Sequence, residues 1–235
     1  MSILAAIRDA FDLLLAGDAE LLEIIAVSLK TSLIALALAA PCAIAAGYLI
    51  AQHAFPGRRI AIWLAQAAMA MPTVLIGLLL YLTLSRQGPL GELEWLFSQS
   101  GIIVGQMLIA LPVLVAFSLT AIQAIDPRLA ETAITLGASR LAVMRTVLHE
   151  VRFGVMAALI SGFGRVIAEV GCALMVGGNI KGETRTITTA IALETSKGEF
   201  AQGIALGMVL VAIALLINAV LVWLQGDTRM ARGWS

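Results

Sequence analysis

The chain has 235 residues, of which 60% are hydrophobic and 13% charged, with a formal net charge of +0 and a mean hydropathy of +0.99. A soluble domain carries about 25% charged residues and a membrane-spanning helix takes about 20 apolar ones, so the composition excludes an ordinary soluble fold and points to a chain embedded in a bilayer. The neutral balance offers no basic surface for nucleic acid.

The first segment, 1–22, sets Ile3, Leu4, Ile7, Phe11, Leu14 and Leu15 on a helical spacing, with Arg8, Asp9, Asp12 and Asp18 largely between them. This pattern predicts an amphipathic helix lying on the membrane surface. It lacks the basic start and unbroken apolar core of a cleaved signal. A membrane region, 23–225, follows, with five predicted spans at about 24–51, 60–84, 101–123, 153–177 and 203–225. A short tail, 226–235, ends the chain.

Pro41, Pro72 and Pro112 fall inside predicted spans, where each frees a backbone carbonyl and can bend its helix. Gln66 and Gln106 are polar positions in apolar helices and predict hydrogen bonds between helices. Gly101 with Gly105, and Gly203 with Gly207, have the spacing of close helix packing. Cys42 and Cys172 lie in apolar stretches and read as packing residues; His53 and His149 sit at span ends and read as interfacial.

The loops carry charge unevenly. One side holds Arg58, Arg59, Arg128, Arg140, Arg145, Arg152, Arg229 and Arg232; the other holds Arg8, Lys30, Arg86, Lys181, Arg185 and Lys197 with most of the acids. The arginine-dense loops nearest the spans assign the first side to the cytoplasm. The N-terminus is then outside and the C-terminus inside, as an odd number of spans requires.

Between the third and fourth spans the chain becomes polar. Asp126-Pro127 reads as a helix start, Gly137 as a stop and Ser139 as a second cap. The segment 127–150 is therefore expected to form two short helices joined at Gly137-Ala138, lying at the membrane surface where a protein outside the membrane can meet it.

Arg165 and Glu169 stand four residues apart in the fourth span and can pair on one helix face. Charges at that depth face a protein interior or a water-filled path. An ion pair that locks the bundle and a polar stretch of a translocation route are both consistent readings. The loop 177–202 contains Thr184, Thr186, Thr188 and Thr189 before a possible helix through Ala192 and Leu193; it either stays outside or dips back. No Gly-x-x-x-x-Gly-Lys-Ser/Thr loop, His-Glu-x-x-His or Gly-x-Ser-x-Gly motif occurs. A membrane enzyme would need a reactive cluster that the sequence does not show, and an autonomous channel or ion-coupled carrier often shows internal repeats. Active transport would require another subunit to hold the nucleotide.

The stretch from Glu131 resembles the signature of permease subunits of type I ATP-binding-cassette importers: Glu-Ala-Ala, three residues, Gly, nine residues, then Ile-x-Leu-Pro. Glu131, Ala133 and Gly137 match, Thr132 departs mildly, Val147 stands for Ile, and His149 and Glu150 replace Leu-Pro. The resemblance covers about 23–225 and implies an all-α, polytopic membrane helix bundle of the type I importer permease fold. It implies that Glu131, Thr132, Ala133, Gly137, Ala138, Ser139 and Arg140 couple the chain to an ATPase. It further implies no catalytic residue, metal or cofactor in this chain, with ATP and Mg held by the partner. The implied partners are a second copy of the chain, two ATPase subunits on the cytoplasmic side and an external oxyanion-binding protein, in a bacterial or archaeal cytoplasmic membrane.

A narrower resemblance, to permeases for molybdate and tungstate, lies in 164–180; that of 184–198 is nearest the tungstate branch. It implies tungstate as cargo, with molybdate second and sulfate third. Arg165, Glu169, Asn179, Arg185 and Thr186 are the residues then expected to line the path or its gate, Glu169 as the partner of Arg165 and the others as donors to an anion.

Overall fold

The computed structural model describes residues 17–126 and 128–232, with Arg8 and Asp12 besides; side chains are described as far as Val220 and at Trp223. The amphipathic helix expected over 1–22 falls mostly outside these residues. From residue 19 onward its segment is already part of the first long helix.

Ten α-helices occur among the described residues, and no strand. In chain order they are α1 (Ala19–Gln52), α2 (Arg58–Met69), α3 (Thr73–Leu84), α4 (Gln99–Gln123) and α5 (Arg128–Thr135). They continue with α6 (Arg140–Glu150), α7 (Arg152–Ile167), α8 (Gly171–Gly177), α9 (Ile187–Lys197) and α10 (Phe200–Arg232). The fold is the all-α polytopic bundle that the sequence predicts.

Among the described residues three helical stretches are long and apolar enough to cross a bilayer unaided: α1, α4 and Phe200–Val220 of α10. Asp18 starts α1 by accepting from the Glu20 and Leu21 amides, and Ser98 starts α4 by accepting from the Gly101 amide. At the far end of α1, Arg58 donates from Nε to the Ile50 carbonyl at 2.7 Å and from Nη2 to the Ala51 carbonyl at 3.0 Å. Both carbonyls belong to the last turn, where no backbone amide reaches them and a cation suits the helix dipole. Pro41 and Pro112 lie inside α1 and α4, which both remain continuous.

Two predicted spans are not single helices. The stretch 60–84 is divided at Ala70–Pro72 into α2 and α3, which meet at 96°. Proline disfavours helical backbone in the residue before it, and Pro72 (φ −59°) stands at the N-cap of α3 instead of within a helix. The stretch 153–177 is divided at 168–170 into α7 and α8. Glu169 brings this about locally, because its carboxylate accepts from the Cys172 amide at 3.0 Å and so caps a new helix. A second bent pair with the length and composition of a span is α6 and α7, at 71°. Nor does a break fall at 225, where a tail was expected: α10 runs on to Arg232.

α1 packs along α4, and α4 along α7, while α3 lies against α8. Small residues permit these close approaches: Ala39, Ala43, Ala110 and Ala158 are buried with Leu114 and Val166 in the largest apolar cluster. Two ends of the bundle can be told apart. At one end Tyr48, Ile122, Val143, Val147 and Val151 form a cluster that ties α6 to the last turns of α1 and α4. At the other, Glu20 pairs with Lys181 and Arg185, and Gln99 donates to the Glu183 carbonyl.

Candidate functional site

The polar segment at the first end folds as its capping residues dictate. The Asp126 carboxylate accepts from the Arg128 amide at 2.9 Å. At the end of α5 the Ala138 amide donates to the Ala133 carbonyl at 3.0 Å and the Gly137 amide to Ile134 at 2.9 Å. That paired closure is a Schellman motif, which needs a left-handed residue, and Gly137 supplies it with φ +81°. Ser139 then opens α6 by accepting from the Ala142 amide at 3.3 Å.

Glu131, Thr132, Gly137, Ser139 and Arg140 are exposed, and Ala133 and Ala138 are half-buried. Apolar side chains crown the turn: Leu136 is 82% exposed, with Ile134 and Leu141 beside it. The opposite face of α6 is anchored through buried Val143 and Val147. A capped helical hairpin thus presents a mixed polar and apolar tip beyond the bundle.

The five expected path residues do not form one surface. Arg165, in the last turn of α7, pairs through Nη1 with Glu169 Oε2 at 3.2 Å; the two side chains are 40% and 2% exposed. The other carboxylate oxygen of Glu169 caps α8, and its backbone carbonyl accepts from Thr188 Oγ1 at 2.6 Å. Glu169 thereby touches α7, α8 and α9.

Arg185 is directed elsewhere: its side chain is 12% exposed and donates to Glu20 Oε1 at 3.0 Å. Thr186 is buried, and its hydroxyl is used in a reciprocal cap with Thr189 at the start of α9. Asn179 holds a left-handed turn (φ +53°) after Gly178, with its amide 3.5 Å from the Thr189 carbonyl. Of the five, Arg165, Asn179 and Arg185 are partly exposed while Glu169 and Thr186 are buried, and of the partly exposed ones only Arg165 stands on a membrane-spanning helix.

These placements follow from the course of 177–202. Thr184 Oγ1 donates to the Gly177 carbonyl at 2.6 Å, and Thr188 reaches Glu169, so the chain 184–188 retraces α8 in reverse. The Ile187 amide donates at 2.7 Å to Ser28 Oγ. Ser28 lies eight residues past Glu20, which is about 12 Å along α1. α9 then climbs back, and its Glu194 shares a cleft with Asp18 and Gln202. Of the two courses open to this loop from sequence, the chain takes the one that dips into the bundle. Ser28 and the Cys172 amide carry no signal in sequence, because only this return brings them to their partners.

Gln106 adds a node just below: its amide donates to Ser32 Oγ at 3.2 Å and to the Val166 carbonyl at 3.3 Å, joining α4 to α1 and α7. The interhelical bonding expected of Gln106 is therefore present.

Long apolar helices, two helix breaks and a capped hairpin at one end define a polytopic membrane-protein fold. The chain belongs to the family of binding-protein-dependent transport system inner membrane components, whose match covers residues 43–229. It is 40% identical over 204 residues to a probable anion ABC transporter permease protein of Haloferax volcanii, covering 85% of this chain and 88% of that one. It is 37% identical over 211 residues to the tungstate uptake system permease protein TupB of Campylobacter jejuni, covering 90% and 88%. Identity to the molybdenum transport system permease protein ModB of Escherichia coli K12 is 28% over 222 residues, covering 90% and 96%. The chain is thus a multi-pass inner-membrane subunit of an importer of this type.

Proposed function

We propose that this chain is the permease subunit of an ATP-driven tungstate importer. The observation that carries the reading is the likeness to two TupB permeases, at 37% and 34% identity over 90% and 94% of the chain. Molybdate is the second reading, favoured by the likeness to ModB. Two copies of the chain enclose the path, and two ATPase subunits dock beneath them on the cytoplasmic side. ATP and Mg reside in those subunits. An external oxyanion-binding protein delivers the cargo, and the N-terminus is outside.

The hairpin of α5 and α6 is the docking element for the ATPase. Its residues Glu131, Thr132, Ala133, Gly137, Ala138, Ser139 and Arg140 stand at or beside an exposed tip, and its base is packed against α1 and α4. A hairpin fixed at its base transmits a displacement of the tip to the spans. Alternating access then follows as a shift between two packings of the bundle when the ATPases close. Arg165 lines the route, with Glu169 as its sealed partner behind it, while Arg185 and Thr186 brace the packed fold beside Asn179 rather than facing the cargo.

The test is uptake of labelled tungstate by cells carrying or lacking this chain, in a background with no second system. High-affinity uptake should need this chain together with its binding protein. Undiminished uptake after deletion, or uptake of molybdate alone, would overturn the tungstate reading.

A further inference from the structure

The pairing of Arg165 with Glu169 is lopsided. The acid is 2% exposed and the base 40%, so the negative partner is sealed within the fold and the positive one stands at its edge. Every oxygen of Glu169 is engaged inward: Oε1 by the Cys172 amide, Oε2 by Arg165, and the carbonyl by Thr188. Arg165 uses Nη1 alone for its partner. A guanidinium carries five N–H donors in a fixed fork, so those on Nε and Nη2 remain for something else.

The surroundings say where they can be used. Arg165 lies thirteen residues into α7 from Arg152, about 20 Å along the axis. That depth is within a hydrocarbon core of about 30 Å. Ser161, Gly164 and Ala168 flank it on the same helical face, and all three are exposed. A Cβ placed on Gly164 would meet nothing within 4 Å. Lipid does not suit a face that holds a half-exposed arginine, whereas a water-filled path does.

We propose that this face is a transit site for a tetrahedral oxyanion, with Arg165 as the contacting group and Glu169 as a positioning residue. The inference rests on the transport reading above and deepens it. Glu169 has two tasks. It aims the guanidinium, being itself locked to α8 and α9. It also keeps the site neutral before the anion arrives. An unopposed arginine in a low-dielectric site would hold a dianion too firmly, and conduction requires binding weak enough for release. The buried carboxylate repels the anion across the guanidinium and lets it leave.

The test uses the full chain in complex with its ATPase, without the binding protein, and equilibrium dialysis against labelled tungstate. Glu169→Gln keeps an acceptor for the Cys172 amide while removing the charge. Retention per folded molecule should rise on the order of tenfold or more over the unmodified chain, while maximal uptake falls. The double variant Arg165→Gln with Glu169→Gln should retain no more than the unmodified chain, and Glu169→Asp should restore low retention. Unchanged retention in Glu169→Gln, or retention in the double variant as high as in Glu169→Gln, overturns the transit site and leaves a structural pair. Retention of molybdate or sulfate but not tungstate would support the site and sink only the tungstate reading. Should Glu169→Gln not fold, Arg165→Gln decides: tungstate uptake at saturation per folded complex should fall at least about tenfold, and unchanged uptake overturns the proposal.

Discussion

Thr188 donates its hydroxyl to the backbone carbonyl of Glu169 at 2.6 Å, which joins the first turn of α9 to the break between α7 and α8. The two stand 19 positions apart in the chain. The bond satisfies a carbonyl that the interrupted helix leaves without an amide partner, and a buried carbonyl so left would be costly. The break and the returning loop are therefore joined into one construction by this bond.

Ser28 supports the same construction from α1, since its hydroxyl accepts from the Ile187 amide at 2.7 Å and is buried. Ser28→Ala should lower the stability of the solubilised chain by about 1–3 kcal/mol, because it strands a buried amide. A downward shift of the thermal midpoint is expected, together with earlier proteolysis within 178–198. A midpoint unchanged from that of the unmodified chain would remove Ser28 from this role.

Gly137 is required for its backbone rather than for space. A Cβ there would meet nothing within 4 Å, yet φ is +81°. Gly137→Leu should cost about 1–2 kcal/mol of local strain and reorient the hairpin tip. Folded yield should persist while oxyanion-stimulated ATPase activity and uptake fall together. Gly137→Asn, which tolerates the left-handed region better, should retain more of both. Wild-type coupling in Gly137→Leu would detach this turn from ATPase docking.

Gly105 presents the opposite case. Its φ is ordinary, but a Cβ would lie 2.5 Å from Cys172 Sγ. Gly105→Ala should destabilise the contact of α4 with α8, within the roughly 1–3 kcal/mol typical of overpacking. Cys172→Ala in the same chain should recover most of the loss by removing the sulfur. Gly207→Ala, where nothing lies within 4 Å, is the control and should be near neutral. Equal midpoints for the single and double variants would argue that the helices simply shift apart.

At the end of the bundle opposite the hairpin Glu20 holds two cations, Lys181 at 2.6 Å and Arg185 at 3.0 Å. Lys181 is well exposed, so Lys181→Gln should change stability by less than about 1 kcal/mol. Glu20→Gln should cost more, because it leaves the mostly buried Arg185 without its carboxylate. The thermal midpoints of the two variants, measured in one detergent at one ionic strength, give the comparison. A larger loss for Lys181→Gln would reverse it.

What could be read from sequence was what is local. Asp126, Gly137 and Ser139 act on amides and carbonyls within five residues, so their types and spacing sufficed to place the hairpin. Arg165 and Glu169 were matched correctly by a rule for continuous helices, although Glu169 lies beyond the end of α7. The same spacing concealed the break: a carboxylate that caps one helix can still reach back to a base on the one before. Pro72 announced a bend and produced a right-angled break, since its own constraint falls on Met71 and gives no account of how far the next helix turns. The fates of Arg185 and Thr186 were hidden for another reason. Their partners, Glu20 and the start of α9, are set by the return of 184–188, a long-range event that leaves no periodicity behind.

Arg58 carries a consequence for how the chain comes to lie in its membrane. An arginine beside a span influences orientation during insertion by charge alone, whatever its side chain later touches. In the folded protein the same fork closes two carbonyls at the end of α1. Lysine would keep the charge but not the planar, two-pronged donor. One position thus joins a topogenic signal, spent as the nascent chain is threaded, to a finished helix end, and the choice between the two basic residues separates them.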